Sequence, residues 1–248
     1  MPEKAIEVED LSKRFGAVWA LTGVSFELKD DETIGLVGDN GAGKSTLIKV
    51  LGGVLKPTAV RKMCFFGREH IFSNPNEARK IGIETVHQNL ALADQRSLIE
   101  NFFMGRELKR NGLLGKVGIA DLGRMKKETG MGLRELGVTL DVERQMRYFS
   151  GGQRQIVTLA RSLYTKPRIL FLDEPTTALS AAAEGAIIDI LNTLRGKLPI
   201  MYISHNLKRV LEVSDRVMIL RHGEKVVLED SMNFDVPGLV RSMLEGRD

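Results

Sequence analysis

The stretch Gly38-Asp-Asn-Gly-Ala-Gly43-Lys44-Ser45-Thr46 constrains this chain more than any other. It has the spacing G-x-x-x-x-G-K-[ST]. It follows the apolar run Thr33-Ile-Gly-Leu-Val37, which predicts a buried strand, and opens a helix predicted from about Lys44 to Leu55. Glycines let successive N–H groups curl inward toward anionic oxygens. The helix N-terminus adds the positive end of its dipole. In such a cradle Gly38, Asp39, Asn40, Gly41, Ala42 and Gly43 wrap phosphates, and Lys44 reaches the β- and γ-phosphates. Ser45, followed by Thr46, ligates Mg²⁺ through its hydroxyl. The alternative is a glycine-rich strand-to-helix turn with one surface lysine. The full pattern, in its strand-to-helix context, argues against it.

The rest of the chain supplies a matching frame. Ile83-Glu-Thr-Val86, Arg168-Ile-Leu-Phe-Leu172, Ile200-Met-Tyr-Ile203 and Val217-Met-Ile-Leu220 predict further strands. Ile187, Ile190, Leu191 and Leu194 mark one helix face; Leu207, Val210 and Leu211 mark another. Strands separated by helices predict an α/β fold with a mostly parallel sheet. Arg61-Lys-Met-Cys-Phe-Phe-Gly67 predicts a strand of a separate antiparallel piece near the N-terminus. Between about Leu90 and Leu163 no strand is evident, and Met125, Thr129, Leu133 and Leu136 have helical spacing. The expectation is a single domain over residues 1–248, with a helical subdomain inserted at about 90–163. Val226 to Asp248 reads as a strand-turn-helix tail.

Composition narrows the classes. Of 248 residues, 43% are hydrophobic, which supports a buried core and excludes a disordered chain. The single cysteine, Cys64, excludes a disulfide framework or a cysteine-rich metal site. No apolar run approaches the roughly 18–20 residues that span a bilayer. The Met1–Asp10 segment alternates charges and has no apolar signal core. A soluble cytoplasmic chain is expected, with any membrane contact made through a partner. The net charge of +4 comes from 36 basic against 32 acidic residues, scattered apart from clusters such as Arg124-Met-Lys-Lys127. That cluster reads as a solvated face, and with aromatics at 6% no nucleic-acid platform is expected.

Two further patterns carry chemistry. Asp173 follows a buried strand, where a carboxylate can orient Mg²⁺, and Glu174 beside it can act as general base on an attacking water. Alone, Asp-Glu-Pro175 is equally an acidic pair at a strand end; the phosphate loop favours the chemical role. About twenty residues earlier stands Ser150-Gly151-Gly152-Gln153-Arg154-Gln155. Ser-x-x-Gln before an apolar helix is a capping box, with Ser150 at the N-cap and Gln153 at N3. Such a helix tip is also a phosphate site.

The order Gly38–Ser45, Ser150–Gln153, Asp173-Glu174 resembles the ATP-binding cassette (ABC) ATPases, whose signature motif usually begins with Leu where this chain has Phe149. The resemblance covers nearly the whole chain and implies ATP and Mg²⁺ as ligands. Gln88 resembles the Q-loop glutamine that senses Mg²⁺ and the γ-phosphate. His205, by itself a structural histidine at a strand end, lies about thirty residues after Glu174 and there resembles the switch histidine on the γ-phosphate. Phe15 resembles the aromatic that stacks on adenine. His70, His87 and His222 match nothing in the family and are expected to be structural or surface groups, and Trp19 a packing residue.

Gly38–Leu51, Ile83–Leu92 and Glu100–Arg106 look closest to ATPases of bacterial monosaccharide importers. The last two segments lie where such ATPases receive a coupling helix from the membrane subunit. The resemblance implies a peripheral ATPase on the cytoplasmic face of the inner membrane. Its partners would be a second cassette (a homodimer or another chain), integral permease subunits and, indirectly, a periplasmic solute-binding protein. Two departures stand out: such importers usually carry two fused cassettes, and Ser180 follows Ala178-Leu179 where many relatives place Asp. Two other readings stay open at this point. One is a soluble ABC ATPase acting on nucleic acid or the ribosome; the other is an ATP-binding regulator with little turnover.

Overall fold

A computed structural model describes residues 3–88, 90–112 and 117–245. Asn89 and the residues after Glu245, parts of two segments read above, lie outside the described residues. The chain divides into two compact units. One comprises Met1–Gln88, Pro167–Thr177 and Ile188–Asp248; the other comprises Asn89–Lys166 and Ala178–Ile187.

The first unit holds two sheets. Strands β1 (Lys4–Phe15), β2 (Val18–Lys29), β4 (Lys62–Phe65) and β5 (Arg68–Glu69) form an antiparallel sheet in the order β2-β1-β4-β5. The predicted strand at 61–67 is its third member. β1 and β2 were not evident as strands, because their solvent face carries charges of both signs that pair across strands. Lys4 meets Glu27 at 2.7 Å, and Lys62 meets Glu7 at 2.7 Å. Their other face buries Ile6, Val8, Leu11, Leu21, Val24 and Leu28.

The second sheet has the order β10-β9-β3-β8-β7-β6. It consists of β3 (Thr33–Val37), β6 (Ile83–Val86), β7 (Ile169–Asp173), β8 (Ile200–Ile203), β9 (Arg216–Arg221) and β10 (Glu224–Asp230). All its pairings are parallel except β9 with β10. Every residue of β3, β7 and β8 is buried, as unbroken apolar runs covered on both faces should be. The register pairs Leu36 and Asp173 with the same residue, Ile203, so these three strands end level.

Helix α1 (Lys44–Leu51) follows β3 and stops four residues short of the expected Leu55. Gly52 caps it, and Gly53 sits at φ +75°, which turns the chain out of the helix. Helices α2 (Pro75–Lys80), α7 (Leu207–Val213) and α8 (Val236–Glu245) complete this unit. Trp19 does not pack in the core: it is 47% exposed, and the Arg14 guanidinium lies 5.4 Å from its ring.

The second unit is helical. It contains α3 (Leu98–Phe103), α4 (Leu122–Glu135), α5 (Gly151–Tyr164) and the first half of α6 (Ala181–Leu194). Met125, Thr129 and Leu133 face inward from α4 as their spacing predicts, while Arg124, Lys126 and Lys127 are exposed. Met125 and Leu133 meet Leu98, Phe102, Phe103, Val157 and Ala160 in one apolar core. Asn101, fully buried, pins the loop before α3: its side chain accepts from Ala93 N at 2.7 Å and donates to Ala93 O and Ser97 O at 3.0 and 2.9 Å.

Candidate functional site

The glycine loop leaves β3 and enters α1 as its sequence requires. Gly38 at φ +148° lies so close to β9 that a Cβ there would sit 2.2 Å from Leu220 O. Gly43, at φ +104°, is the N-cap of α1, and a Cβ would sit 2.5 Å from Ala20 O. No side chain caps this helix, so its first amides remain available to an anion. Asn40, Gly41, Ala42, Gly43, Lys44, Ser45 and Thr46 line an open pocket together with Ala20 and Glu174. Ala20, a residue of β2, was missed because no side-chain pattern signals its place there.

Lys44 begins α1 and is buried. Its ammonium donates to Gly38 O at 2.6 Å and Asp39 O at 2.9 Å, bracing the loop. Burial pulls its pKa below the usual lysine value, opposed by Glu174, Asp39 and Asp173. Ser45 Oγ donates to Asp173 Oδ1 at 3.1 Å. Asp173 is the last residue of β7, and burial raises its carboxyl pKa, partly offset by the Ser45 hydrogen bond.

Glu174 follows at φ +53°. Its Oε1 lies 2.5 Å from His205 Nε2, and its Oε2 accepts from Thr177 Oγ1 at 2.9 Å. His205 follows β8, so the adjacency of β7 and β8 makes this pair. Several expected residues do not line the pocket: Gly38, Asp39, Asp173 and His205 stand beside its lining residues in the loop or at the strand ends, and Phe15 and Gln88 are also absent from it. Phe15 ends β1, is 47% exposed and has the Lys13 ammonium 5.2 Å from its ring; Gln88 lies two residues past β6 and is exposed. Of the unassigned histidines, His87 is half-buried, and burial lowers its pKa; His70 stacks on Phe72; His222 occupies a surface turn.

The Ser150 motif lies in the helical unit. The capping box forms: Ser150 Oγ accepts from Gln153 N at 3.3 Å, and Gln153 Oε1 accepts from Ser150 N at 3.0 Å. Gly151 starts α5. At Gly152 a Cβ would sit 2.4 Å from the Cβ of Ala183, so only glycine lets the two helices approach this closely. Arg154 pairs with Asp94. Ser180 Oγ accepts from Ala183 N at 3.4 Å, which makes it a capping group of α6.

The Ser45–Asp173 pair fits Mg²⁺. A hydroxyl and a carboxylate are the donors that ion takes from a protein when phosphates and waters fill its other positions. Among the described residues no cluster of three or more His, Cys, Asp or Glu could hold a metal alone. The chemical capacity of the arrangement is a polyanion cradle beside a divalent-ion site and a carboxylate base.

The ABC transporter family profile matches residues 21–177. This chain belongs to that family. It is 39% identical to a xylose/arabinose import ATP-binding protein of Sulfolobus acidocaldarius, over 88% of this chain and 85% of that protein. It is 36% identical to a fructose import ATP-binding protein of Rhizobium meliloti, over 99% and 96%. Against ribose import ATP-binding proteins, such as one from Streptomyces avermitilis, it spans about half the relative's length, 48%. Its fold matches a nucleotide-free ATP-binding cassette from an ABC transporter with TM-score 0.83 at 25% identity, over 98% of each chain. Among the described residues no helix is long and apolar enough to cross a membrane.

Proposed function

We propose that this chain is the ATP-hydrolysing subunit of an ABC importer and powers uptake of a sugar through separate membrane subunits. The observation that carries the proposal is the convergence of the phosphate cradle, Asp173 and the Glu174–His205 pair at the level ends of β3, β7 and β8. The import names of its relatives support the transport role and the sugar class.

In this mechanism residues 38–46 hold the triphosphate, with Lys44 on the β- and γ-phosphates and Phe15 against adenine. Ser45, Asp173 and Gln88 hold Mg²⁺, which when bound spreads the charge developing on the phosphates. Glu174 takes a proton from the attacking water, and His205 contacts the γ-phosphate. Ser150, Gly151, Gly152 and Gln153 of a second cassette close the site. Hydrolysis therefore requires pairing, here of two copies of this chain. ATP favours the closed pair, and membrane permease subunits convert closing and reopening into solute passage. A periplasmic solute-binding protein delivers the sugar, and the ATPase sits peripherally on the cytoplasmic face of the membrane.

Phosphate release measured across a dilution series tests the pairing. Specific activity should fall as the chain is diluted to monomer, and a monomer at full rate would overturn the proposal. Uptake of labelled pentoses and hexoses tests the transport role. Cells lacking this gene should lose uptake of at least one sugar, restored by the wild type and not by Glu174→Gln.

A further inference from the structure

We infer that Thr177 is a positioning residue for Glu174, holding the carboxylate in the plane from which it acts on water. This rests on Glu174 being the general base. The Glu174 carboxylate is anchored at both oxygens, by His205 Nε2 at 2.5 Å from Oε1 and by Thr177 Oγ1 at 2.9 Å from Oε2. The terminal torsion of a glutamate is broad and roughly two-fold, so one anchor alone leaves the group free to swing about it. Two anchors of different chemistry, a ring nitrogen and a hydroxyl, define its plane.

The backbone supports the same arrangement. Glu174 occupies the left-handed region at φ +53°, a costly conformation for a residue with a Cβ. Its amide is tied to Ile203 O of β8 at 3.1 Å, and its carbonyl accepts from Thr177 N at 3.4 Å. Thr177 therefore grips Glu174 twice, through main chain and side chain. Thr177 is exposed and is not among the residues that line the cradle. Its contribution belongs to the chemical step and not to nucleotide affinity.

The test compares Thr177→Val, which keeps the shape and removes the donor, with Thr177→Ser, which keeps the donor. Phosphate release is measured over a range of Mg-ATP concentrations. Thr177→Val should lower kcat about tenfold, the scale for one hydrogen bond to a charged group, with KM within about twofold of wild type. Thr177→Ser should restore kcat. In a Glu174→Gln background, adding Thr177→Val should cause no further loss. Wild-type kcat in Thr177→Val beside an impaired Glu174→Gln would overturn the inference alone, as would a loss in Thr177→Val that Thr177→Ser also shows. Full turnover in Glu174→Gln would overturn the general-base role and the inference with it.

Discussion

Ser45 Oγ donates to Asp173 Oδ1 at 3.1 Å, joining side chains 128 residues apart in the chain. The bond spans the end of the sheet: Ser45 stands in the first turn of α1, and Asp173 closes β7. Each group stabilises the other in a buried place where an unpartnered carboxylate would be expensive. A divalent ion entering here meets two oxygens already facing each other.

Lys44 braces the loop through two carbonyls, and in the proposed function it is also the cation for the phosphates. Lys44→Ala should weaken ATP binding about 10- to 100-fold, the range for a lost charged contact. Titration calorimetry with Mg-ATP checks this, and unchanged affinity would count against the cradle.

Glu174→Gln keeps the size of the side chain and removes the proposed base. ATP binding should persist while hydrolysis slows about 10²- to 10⁴-fold. Binding and phosphate release measured on the same preparation separate the two effects.

Gly152 abuts Ala183, and a methyl group at position 152 would sit 2.4 Å from that side chain. Gly152→Ala should destabilise the helical unit by about 1–3 kcal/mol through overpacking. The loss should appear in thermal denaturation even without nucleotide. An unchanged Tm would show that the two helices can separate at no cost.

Asn101→Leu leaves the Ala93 amide without its acceptor, while the carbonyls of Ala93 and Ser97 keep their backbone donors, Arg96 N and Asn101 N. Stranding that one part-buried amide should cost about 1–3 kcal/mol. Urea unfolding followed by circular dichroism reads the change.

Glu100 closes the capping box of α3 and accepts from Ser97 N at 2.7 Å. That backbone bond, with smaller help from Arg96, holds its pKa below the usual glutamate value. The folded form thus binds the proton more weakly than the unfolded chain. Its stabilising effect is full above the ordinary carboxylate range and is lost as pH falls through the lowered pKa. Glu100→Gln should be less stable than wild type at neutral pH, and the gap should narrow in acid. A gap independent of pH would remove the ionised carboxylate from this role.

The parallel sheet, the phosphate loop and the capping box were legible because each is written in local sequence: a short apolar run, a glycine spacing, a Ser-x-x-Gln. β1 and β2 were not, since their exposed faces carry salt bridges whose partners lie on other strands. The end of α1 was misjudged because Leu55 prolongs the apolar period, while the glycines at 52 and 53 decide where the helix stops. Trp19 was expected to be a packing residue, but it is exposed and lies beside Arg14. The Glu174–His205 and Glu174–Thr177 contacts depend on strand order and on one left-handed residue, and neither has a sequence signature.

The level ends of β3, β7 and β8 bear on how this chain can change over evolutionary time. Adding or deleting one residue in any of these strands would flip which side chains face upward and carry Asp173, His205 or the loop away from its fellows. Indels should therefore be purged from these three segments and collect elsewhere, for instance at the β4–β5 turn, where nothing lies within 4 Å of a Cβ placed on Gly67. Descendants of this gene could vary freely in length around a rim that must stay flush.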